Sequence, residues 1–222
     1  MLEINLSHLT CGTFALQKIQ FSLQAGETCA ILGLNGAGKS TLLKSLTGIY
    51  PCPAHSFLWN KKTLSTSLVE YIPPFIQPQL KIQTRYFLEA SLLKLRLTQE
   101  DTIRLENISR FLKITNLLKK DLHVLSSGEM SKVLLAKALL SRKPIILMDE
   151  PTSFLDFRYK SFLRKLLLKI KSKRLLLIAT HDFRWARKFS DHYLGLNEGR
   201  QVFFTPELKQ DHLAELSKNR KD

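Results

Sequence analysis

The chain has no long apolar run and few cysteines. No apolar stretch approaches the ~18 residues that cross a bilayer, so we expect a soluble chain that reaches a membrane only through another subunit. The first residues, MLEINLSHLT, alternate like a strand and are not typical of a signal peptide. Three cysteines, Cys11, Cys29 and Cys52, lack metal-ligand spacing, which favours a reduced, cytosolic protein without a structural metal.

Acidic residues are also scarce. The 222 residues include 19 Asp and Glu against 34 Lys and Arg, a formal net charge of +15. Basic residues are densest between Arg158 and Arg174, where leucines and lysines at helical spacing (FLRKLLLKI) predict an amphipathic helix with a solvated basic face. A nucleic-acid surface or a position beside an anionic membrane would also suit this charge. We favour the solvated helix and do not expect nucleic acid as a partner.

Short apolar runs alternate with helical patterns along most of the chain. This alternation predicts an α/β fold with a largely parallel sheet. The strand-like runs lie near 2–7, 19–24, 28–33, 145–149 and 175–180. Between 82 and 124 the patterns YFLEASLLKLRL and IRLENISRFLKITNLLKK predict amphipathic helices without strands, entered through the proline-rich segment at 72–79. We therefore expect one domain with an α/β core at 1–81 and 125–222 and a helical lobe at 82–124.

A glycine-rich stretch, GLNGAGKST at 33–41, follows one strand-like run and precedes a helical one. It fits G-x-x-x-x-G-K-[ST], in which glycines let backbone N–H groups surround phosphate oxygens at a helix N-terminus. In this pattern Lys39 reaches the β- and γ-phosphates and Ser40 ligates Mg²⁺. A glycine turn with an incidental lysine is disfavoured by the strand–loop–helix context.

Two further stretches carry candidate chemistry. PIILMDEP, 144–151, predicts a buried strand that ends in Asp149, placed to hold Mg²⁺ through water, and Glu150, a candidate general base. VLSSGEMSKVLLAKALL, 124–140, predicts a long helix that starts at Ser126 or Ser127 and offers a second anion site. Taken alone, the first stretch is also compatible with a simple strand end and the second with an ordinary helix cap.

Together these motifs resemble the ATP-binding cassette (ABC) ATPases, the nucleotide-binding subunits of ABC transporters. The resemblance covers nearly the whole chain. Its parts, in family order, are the Walker A motif GLNGAGKST, the signature motif LSSGEM, the Walker B motif IILMDE, the D-loop at 153–156 and the switch histidine in ATHD. It implies a P-loop ATPase core with an N-terminal antiparallel β part and an inserted helical lobe.

The resemblance also implies a role for individual residues. Glu150 becomes the catalytic base and His181 a contact of the γ-phosphate, with ATP and Mg²⁺ as cofactors. Mg²⁺ would be held by Ser40, Asp149 and Gln77. The expected nucleotide contacts are Phe14, Gly33, Leu34, Asn35, Gly36, Ala37, Gly38, Lys39, Ser40, Thr41, Ser126, Ser127, Gly128, Glu129 and Asp156.

The signature differs from the usual LSGGQ at two positions. Ser127 replaces a glycine, and its β-carbon restricts the backbone φ and ψ angles that this position can adopt. Glu129 replaces a glutamine and brings a negative charge toward phosphate. The resemblance implies weakened rather than lost activity.

Two other expected contacts are also altered. Pro74 stands where the family has its Q-loop glutamine, so Gln77 or Gln79 is the candidate replacement. The aromatic residue that stacks on adenine falls near Cys11, which leaves Phe14 as the nearby candidate.

In this family a complete site needs two chains arranged head to tail. The resemblance therefore implies a homodimer, or a heterodimer with a second ABC ATPase. This dimer would act on multi-spanning permease subunits at the cytoplasmic face of the inner membrane, with a substrate-binding protein as an indirect partner. The sequence most resembles ATPases that import iron chelates, haem, cobalamin, zinc or manganese. The alternatives are an exporter of lipid, haem or lipoprotein, a soluble ABC ATPase acting on nucleic acid or the ribosome, and a weakly active cassette.

Overall fold

A computed structural model describes residues 1–74, 79, 81–94, 96–153 and 157–216. The strands are β1 (Leu2–Cys11), β2 (Phe14–Leu23), β3 (Thr28–Leu32), β4 (Phe57–Trp59), β5 (Lys62–Thr63), β6 (Val69–Ile72), β7 (Ile145–Asp149), β8 (Leu175–Thr180), β9 (His192–Asn197) and β10 (Arg200–Thr205). The helices are α1 (Lys39–Leu46), α2 (Thr84–Ala90), α3 (Gln99–Phe111), α4 (Ser127–Leu140), α5 (Phe157–Ile170), α6 (Phe183–Ala186) and α7 (Gln210–Glu215).

The strands form one mixed sheet in the order β5-β4-β1-β2-β10-β9-β3-β8-β7-β6. β9, β3, β8 and β7 run parallel to one another, while β1 pairs antiparallel with both β2 and β4. This confirms the predicted α/β class with an antiparallel N-terminal part. Because β3, β8 and β7 are neighbours, the loops that follow them meet at one edge of the sheet.

The core lies on both faces of the parallel strands. Cys29 and Ile31 of β3 pack into a large cluster with apolar residues of β1, β2 and α1. Ala30 and Leu32, which point the other way, pack into a second cluster that includes Ala186. Each fully buried leucine or isoleucine contributes roughly 1.5–3 kcal/mol, so burial on both faces explains why these strands are continuously apolar.

The chain divides into two compact units. One combines Met1–Tyr71 and Lys143–Thr152 with the described residues from 157 onward, and it holds nearly the whole sheet. The other contains Ile72–Arg142. Its bounds are wider than the predicted 82–124, and on the C-terminal side it includes α4, which packs on α2 and α3.

The helices of the smaller unit are shorter than their sequence patterns predict. α2 ends at Ala90, and α3 begins after a capping box in which Thr98 and Asp101 satisfy each other's backbone N–H groups. α3 ends at Phe111, just before Lys113, whose φ of +57° is incompatible with continuing the helix. In the larger unit, the predicted basic amphipathic helix is confirmed as α5, with Leu163, Leu166 and Leu167 buried.

The hairpin of β9 and β10 is absent from the predicted strands. Its turn is formed by Glu198 and Gly199, which both have positive φ, at +47° and +76°. Two central residues with positive φ match the twist of a two-residue β-hairpin. The sequence Asn-Glu-Gly at 197–199 could therefore have indicated this hairpin. In the described part of the chain, no helix is both long enough and apolar enough to cross a membrane.

Candidate functional site

The glycine-rich loop connects the end of β3 to the start of α1. Gly36 and Gly38 have φ of +82° and +101°, a region where residues with a β-carbon are strained. A β-carbon on Gly38 would also lie 2.8 Å from Leu16 and 3.0 Å from the ring of Phe14. The loop can therefore curl against the β2 strand only because side chains are missing, which is the arrangement that phosphate binding needs.

Lys39, the first residue of α1, folds back over this loop. Its Nζ donates hydrogen bonds to the carbonyl oxygens of Gly33 and Leu34 at 3.0 and 3.1 Å and lies 3.7 Å from Oε1 of Glu150. Only 6% of the side chain is exposed. Burial lowers the pKa of Lys39, while the negative charges of Glu150 and Asp149 act in the opposite direction. The ammonium group is thus held at the mouth of the loop.

A pocket of about 310 Å³ opens above the loop. Its lining consists of Phe14, Glu150 and the residues Asn35, Gly36, Ala37, Gly38, Lys39, Ser40 and Thr41. Besides Glu150, the lining therefore contains the expected nucleotide contacts between Phe14 and Thr41, except Gly33 and Leu34. Those two residues do not line the pocket, but their carbonyl oxygens accept from Lys39. Cys11 opposes Phe14 across the β1–β2 hairpin and is not among the lining residues. Phe14 is the aromatic ring that the structure places in the pocket.

Asp149, at the end of β7, is completely buried. Its Oδ2 accepts a hydrogen bond of 3.1 Å from the hydroxyl of Tyr71, a residue that sequence analysis did not single out. Burial raises the pKa of Asp149, and hydrogen bonding from the hydroxyls of Ser40 and Tyr71 opposes that rise. Burial and the charge of Asp149 in turn raise the pKa of Tyr71, so its hydroxyl remains a donor. No sequence signal showed that β6 would lie beside β7.

The carboxylate of Glu150 lies between Lys39 and His181. Nδ1 of His181 is 2.9 Å from Oε2 of Glu150, although Oε2 accepts no hydrogen bond from the described residues. Glu150 has a φ of +48°, a conformation that costs a residue with a side chain about 1 kcal/mol or more. Its N–H donates to the carbonyl of Ala179 on β8. This backbone turn brings Glu150 out of the strand and into contact with the histidine.

The signature residues begin α4 in the smaller unit. Ser126 caps the helix that starts at Ser127, as expected, and forms a capping box with Glu129. Oε2 of Glu129 accepts from the N–H of Ser126 at 2.9 Å, and Lys120 lies 3.4 Å from the same carboxylate. The backbone N–H of Ser126 lowers the pKa of Glu129. The negative charge of Glu129 is thus bound by the N–H of Ser126 and by Lys120. A β-carbon added to Gly128 would have no atom within 4 Å.

Some predicted site residues lie outside the described residues. These are Gln77 and Asp156, so their roles stay predictions. Gln79 is exposed and Pro74 is half-buried. Neither is among the residues that line the pocket above the glycine-rich loop.

Comparison with known proteins decides the family. Residues 16–153 match the family described as ABC transporter. The chain belongs to this family. It is an ABC-type ATPase that binds ATP.

Individual relatives agree with this family. The chain is 33% identical over 204 residues to the zinc import ATP-binding protein ZnuC of Wigglesworthia glossinidia brevipalpis, which covers 89% of this chain and 82% of that protein. It is 28% identical to the chelated iron transport system membrane protein YfeB of Yersinia pestis, over 84% of this chain and 67% of that one. The fold matches that of a solved ATP-binding subunit of an ABC transporter, which superposes with a TM-score of 0.84 at 24% identity over 98% of this chain and 100% of that one.

The oxygen atoms at the end of β7 fit a magnesium ion. Oδ1 of Asp149 is buried and makes no hydrogen bond to the described residues, and the hydroxyl of Ser40 faces the same carboxylate. Carboxylate and hydroxyl oxygens are ligands that Mg²⁺ prefers, together with substrate phosphates. Ser40 and Asp149 are therefore suitable holders of this ion.

Proposed function

We propose that this chain is the nucleotide-binding subunit of an ABC importer for a metal ion or metal chelate. In this proposal its two units form one ABC ATPase domain, which works as a head-to-tail dimer beneath multi-spanning permease subunits at the cytoplasmic face of the inner membrane. The observation that carries the catalytic part is the position of the Glu150 carboxylate, which lies 3.7 Å from Nζ of Lys39 and 2.9 Å from Nδ1 of His181. Lys39 and Glu150 both line the pocket above the glycine-rich loop. The similarity to proteins named for zinc import and chelated iron transport supports the cargo class.

Each of these residues has a distinct part in the proposed hydrolysis. Lys39 donates hydrogen bonds to the β- and γ-phosphate oxygens, and the glycine-rich loop surrounds them with backbone N–H groups. Glu150 accepts the proton of a water molecule as its oxygen bonds to the γ-phosphorus and the bond to the β–γ bridging oxygen breaks. His181 orients Glu150 and donates to the γ-phosphate. Ser40 and Asp149 would hold magnesium, which would neutralise charge on the phosphates.

The dimer follows from the number of motifs. The sequence has one glycine-rich loop and one signature, and they belong to different units. In the proposed site Ser126, Ser127, Gly128 and Glu129 of one copy close over the ATP held by the other. The N-terminus of α4 then offers partial positive charge where negative charge develops on the γ-phosphate. Hydrolysis removes that bridge, and the opening of the dimer drives the permease.

The decisive experiment uses Glu150→Gln, which retains the shape of the side chain and removes the base. With ATP and Mg²⁺ the variant is expected to elute as a dimer in size-exclusion chromatography with light scattering, and with ADP as a monomer. The double variant Lys39→Ala, Glu150→Gln is the matched control and should remain monomeric, because it lacks the phosphate contact. A Glu150→Gln protein that binds ATP and stays monomeric contradicts the proposed site.

A second experiment tests the cargo. The tagged chain is purified from membranes of its source organism, and the co-purifying permease is reconstituted with it in lipid vesicles. Accumulation of zinc or a ferric chelate that depends on ATP and is lost in Glu150→Gln is the expected result. Lipid or haem export by the same complex would overturn the importer proposal while leaving the ATPase assignment intact.

A further inference from the structure

A second pocket lies between α5 and α6 in the larger unit. Its volume is about 300 Å³, close to the 310 Å³ of the candidate nucleotide pocket, and the two share no lining residue. One wall is formed by Phe157, Lys160 and Arg164 of α5, and the other by the segment that runs from Asp182 to Lys188. None of the residues assigned above to nucleotide or magnesium contributes to it.

The lining carries a strong excess of positive charge. Four basic side chains and one carboxylate face the pocket, a net formal charge of +3. The carboxylate, Asp182, is already neutralised: its Oδ2 lies 3.0 Å from Nζ of Lys160, and its Oδ1 accepts from the N–H of Trp185. Arg164, Arg184 and Lys188 make no ion pair with any residue that the structure describes.

Two aromatic residues also line the pocket, Phe157 and Trp185, of which Trp185 is only 5% exposed. Trp185 forms part of the lining and is held in place, because its ring N–H donates to the carbonyl of Lys160 at 3.2 Å. Phe157 extends its ring into solvent with 81% of its surface exposed. An exposed phenylalanine leaves apolar surface in water, so covering its ring would stabilise a complex. Aromatic side chains and arginines are the residue types that most often dominate protein interfaces.

We propose that this α5–α6 pocket binds an acidic segment of a partner protein that carries an apolar side chain next to its carboxylates. The three free cations pair with carboxylates, and the apolar side chain enters the pocket between Phe157 and Trp185. A flat anionic membrane cannot fill a concave site, and a small inorganic anion would leave Phe157 uncovered. Exposed Lys165 and Lys169 on α5 enlarge the positive field that attracts such a segment.

Tryptophan fluorescence can report binding directly, since the chain has two tryptophans, Trp59 and Trp185. In a Trp59→Phe background, titration with the acetylated and amidated pentapeptide EDFDE is expected to give a saturable change that weakens from low salt to about 0.5 M NaCl. EDADE should bind more weakly by about tenfold or more, since it lacks the apolar anchor. Trp185→Phe in the natural background confirms the source of the signal by removing it.

Charge-reversal variants test whether the peptide binds at the α5–α6 pocket. Arg184→Glu should weaken EDFDE binding by about tenfold or more. Lys165→Glu, on the same helix as Arg164 and outside the pocket lining, makes the same change in net charge and should weaken binding by less than about threefold. Equal losses in the two variants, equal binding of EDFDE and EDADE, or no saturable binding of EDFDE would each overturn the proposal. Tighter binding of a thymidine pentanucleotide than of EDFDE would also overturn it, in favour of a nucleic-acid site.

Discussion

The hydroxyl of Tyr71 donates a hydrogen bond of 3.1 Å to Oδ2 of Asp149, which joins the end of β6 to the end of β7. Asp149 is completely buried, and its carboxylate is one of the groups that fit a magnesium ion. Groups that hydrogen-bond to a metal ligand fix its orientation, and losing them typically weakens metal affinity about 10–100-fold. Tyr71 is therefore a positioning residue for Asp149.

Replacing Tyr71 by phenylalanine tests this role. We expect Tyr71→Phe to weaken Mn²⁺ binding in the presence of ATP by about tenfold or more, because Asp149 loses a partner and reorients. Binding of ATP without a divalent ion should be unchanged. Electron paramagnetic resonance of free Mn²⁺ measures the first quantity and equilibrium dialysis the second. Tyr193→Phe, which removes a buried hydroxyl elsewhere in the same unit, should change neither. Equal Mn²⁺ affinity in Tyr71→Phe and the natural protein would show that Asp149 is held by other groups.

Removing the ammonium group of Lys39 should impair nucleotide binding. Lys39→Ala loses charge-assisted hydrogen bonds worth roughly 1.5–3 kcal/mol each, so ATP affinity should fall about 10–100-fold or more. Isothermal titration calorimetry measures the change. Lys62→Ala, on β5 and outside the pocket lining, is the matched control and should bind ATP normally. Undiminished affinity in Lys39→Ala would contradict the phosphate-binding role of the loop.

The ring of Phe14 is expected to recognise the base rather than the phosphates. By analogy with bases that stack on aromatic side chains, Phe14→Ala should cost ~1–3 kcal/mol in ATP affinity. Affinity for inorganic tripolyphosphate should not change, because the phosphate loop is intact. Phe14→Trp should keep ATP affinity, and so should Cys11→Ala, since Cys11 does not line the pocket. A parallel loss of ATP and tripolyphosphate would indicate that Phe14 supports the loop through Gly38 instead.

Glu129 should stabilise the start of α4, with a defined pH dependence. Glu129→Ala removes half of the capping box, which costs about 1 kcal/mol, whereas Glu129→Gln keeps the box and loses only the charge. The folded protein lowers the pKa of Glu129, so the stability due to its charge is present above the ordinary glutamate range. It is lost as the pH falls through the lowered pKa.

Thermal unfolding at several pH values measures this effect. The difference in melting temperature between the natural protein and Glu129→Gln should be greatest near neutral pH and shrink below pH ~4.5. Glu106→Gln is the control, because Glu106 lies exposed on α3 outside any capping box. A difference that is independent of pH would assign the effect to shape rather than charge.

Local patterns were sufficient to predict much of the site. GLNGAGKST required a strand, a tight loop and a helix, because its glycines, lysine and flanking apolar residues act within one short segment. The apolar runs before Asp149 and His181 likewise predicted buried strands, confirmed as β7 and β8. Parallel strands buried on both faces are continuously apolar, so their presence can be recognised without knowing their neighbours.

Tertiary structure decided the relationships between residues that are far apart in sequence. The order of strands placed Tyr71 against Asp149, and the β1–β2 hairpin placed Phe14 rather than Cys11 in the pocket. A left-handed backbone at Glu150 brought its carboxylate to His181. Composition and periodicity describe one segment at a time, whereas strand order and side-chain packing depend on burying several segments together. For this reason the chain itself specified which elements form, and only the folded protein specified which of their side chains meet.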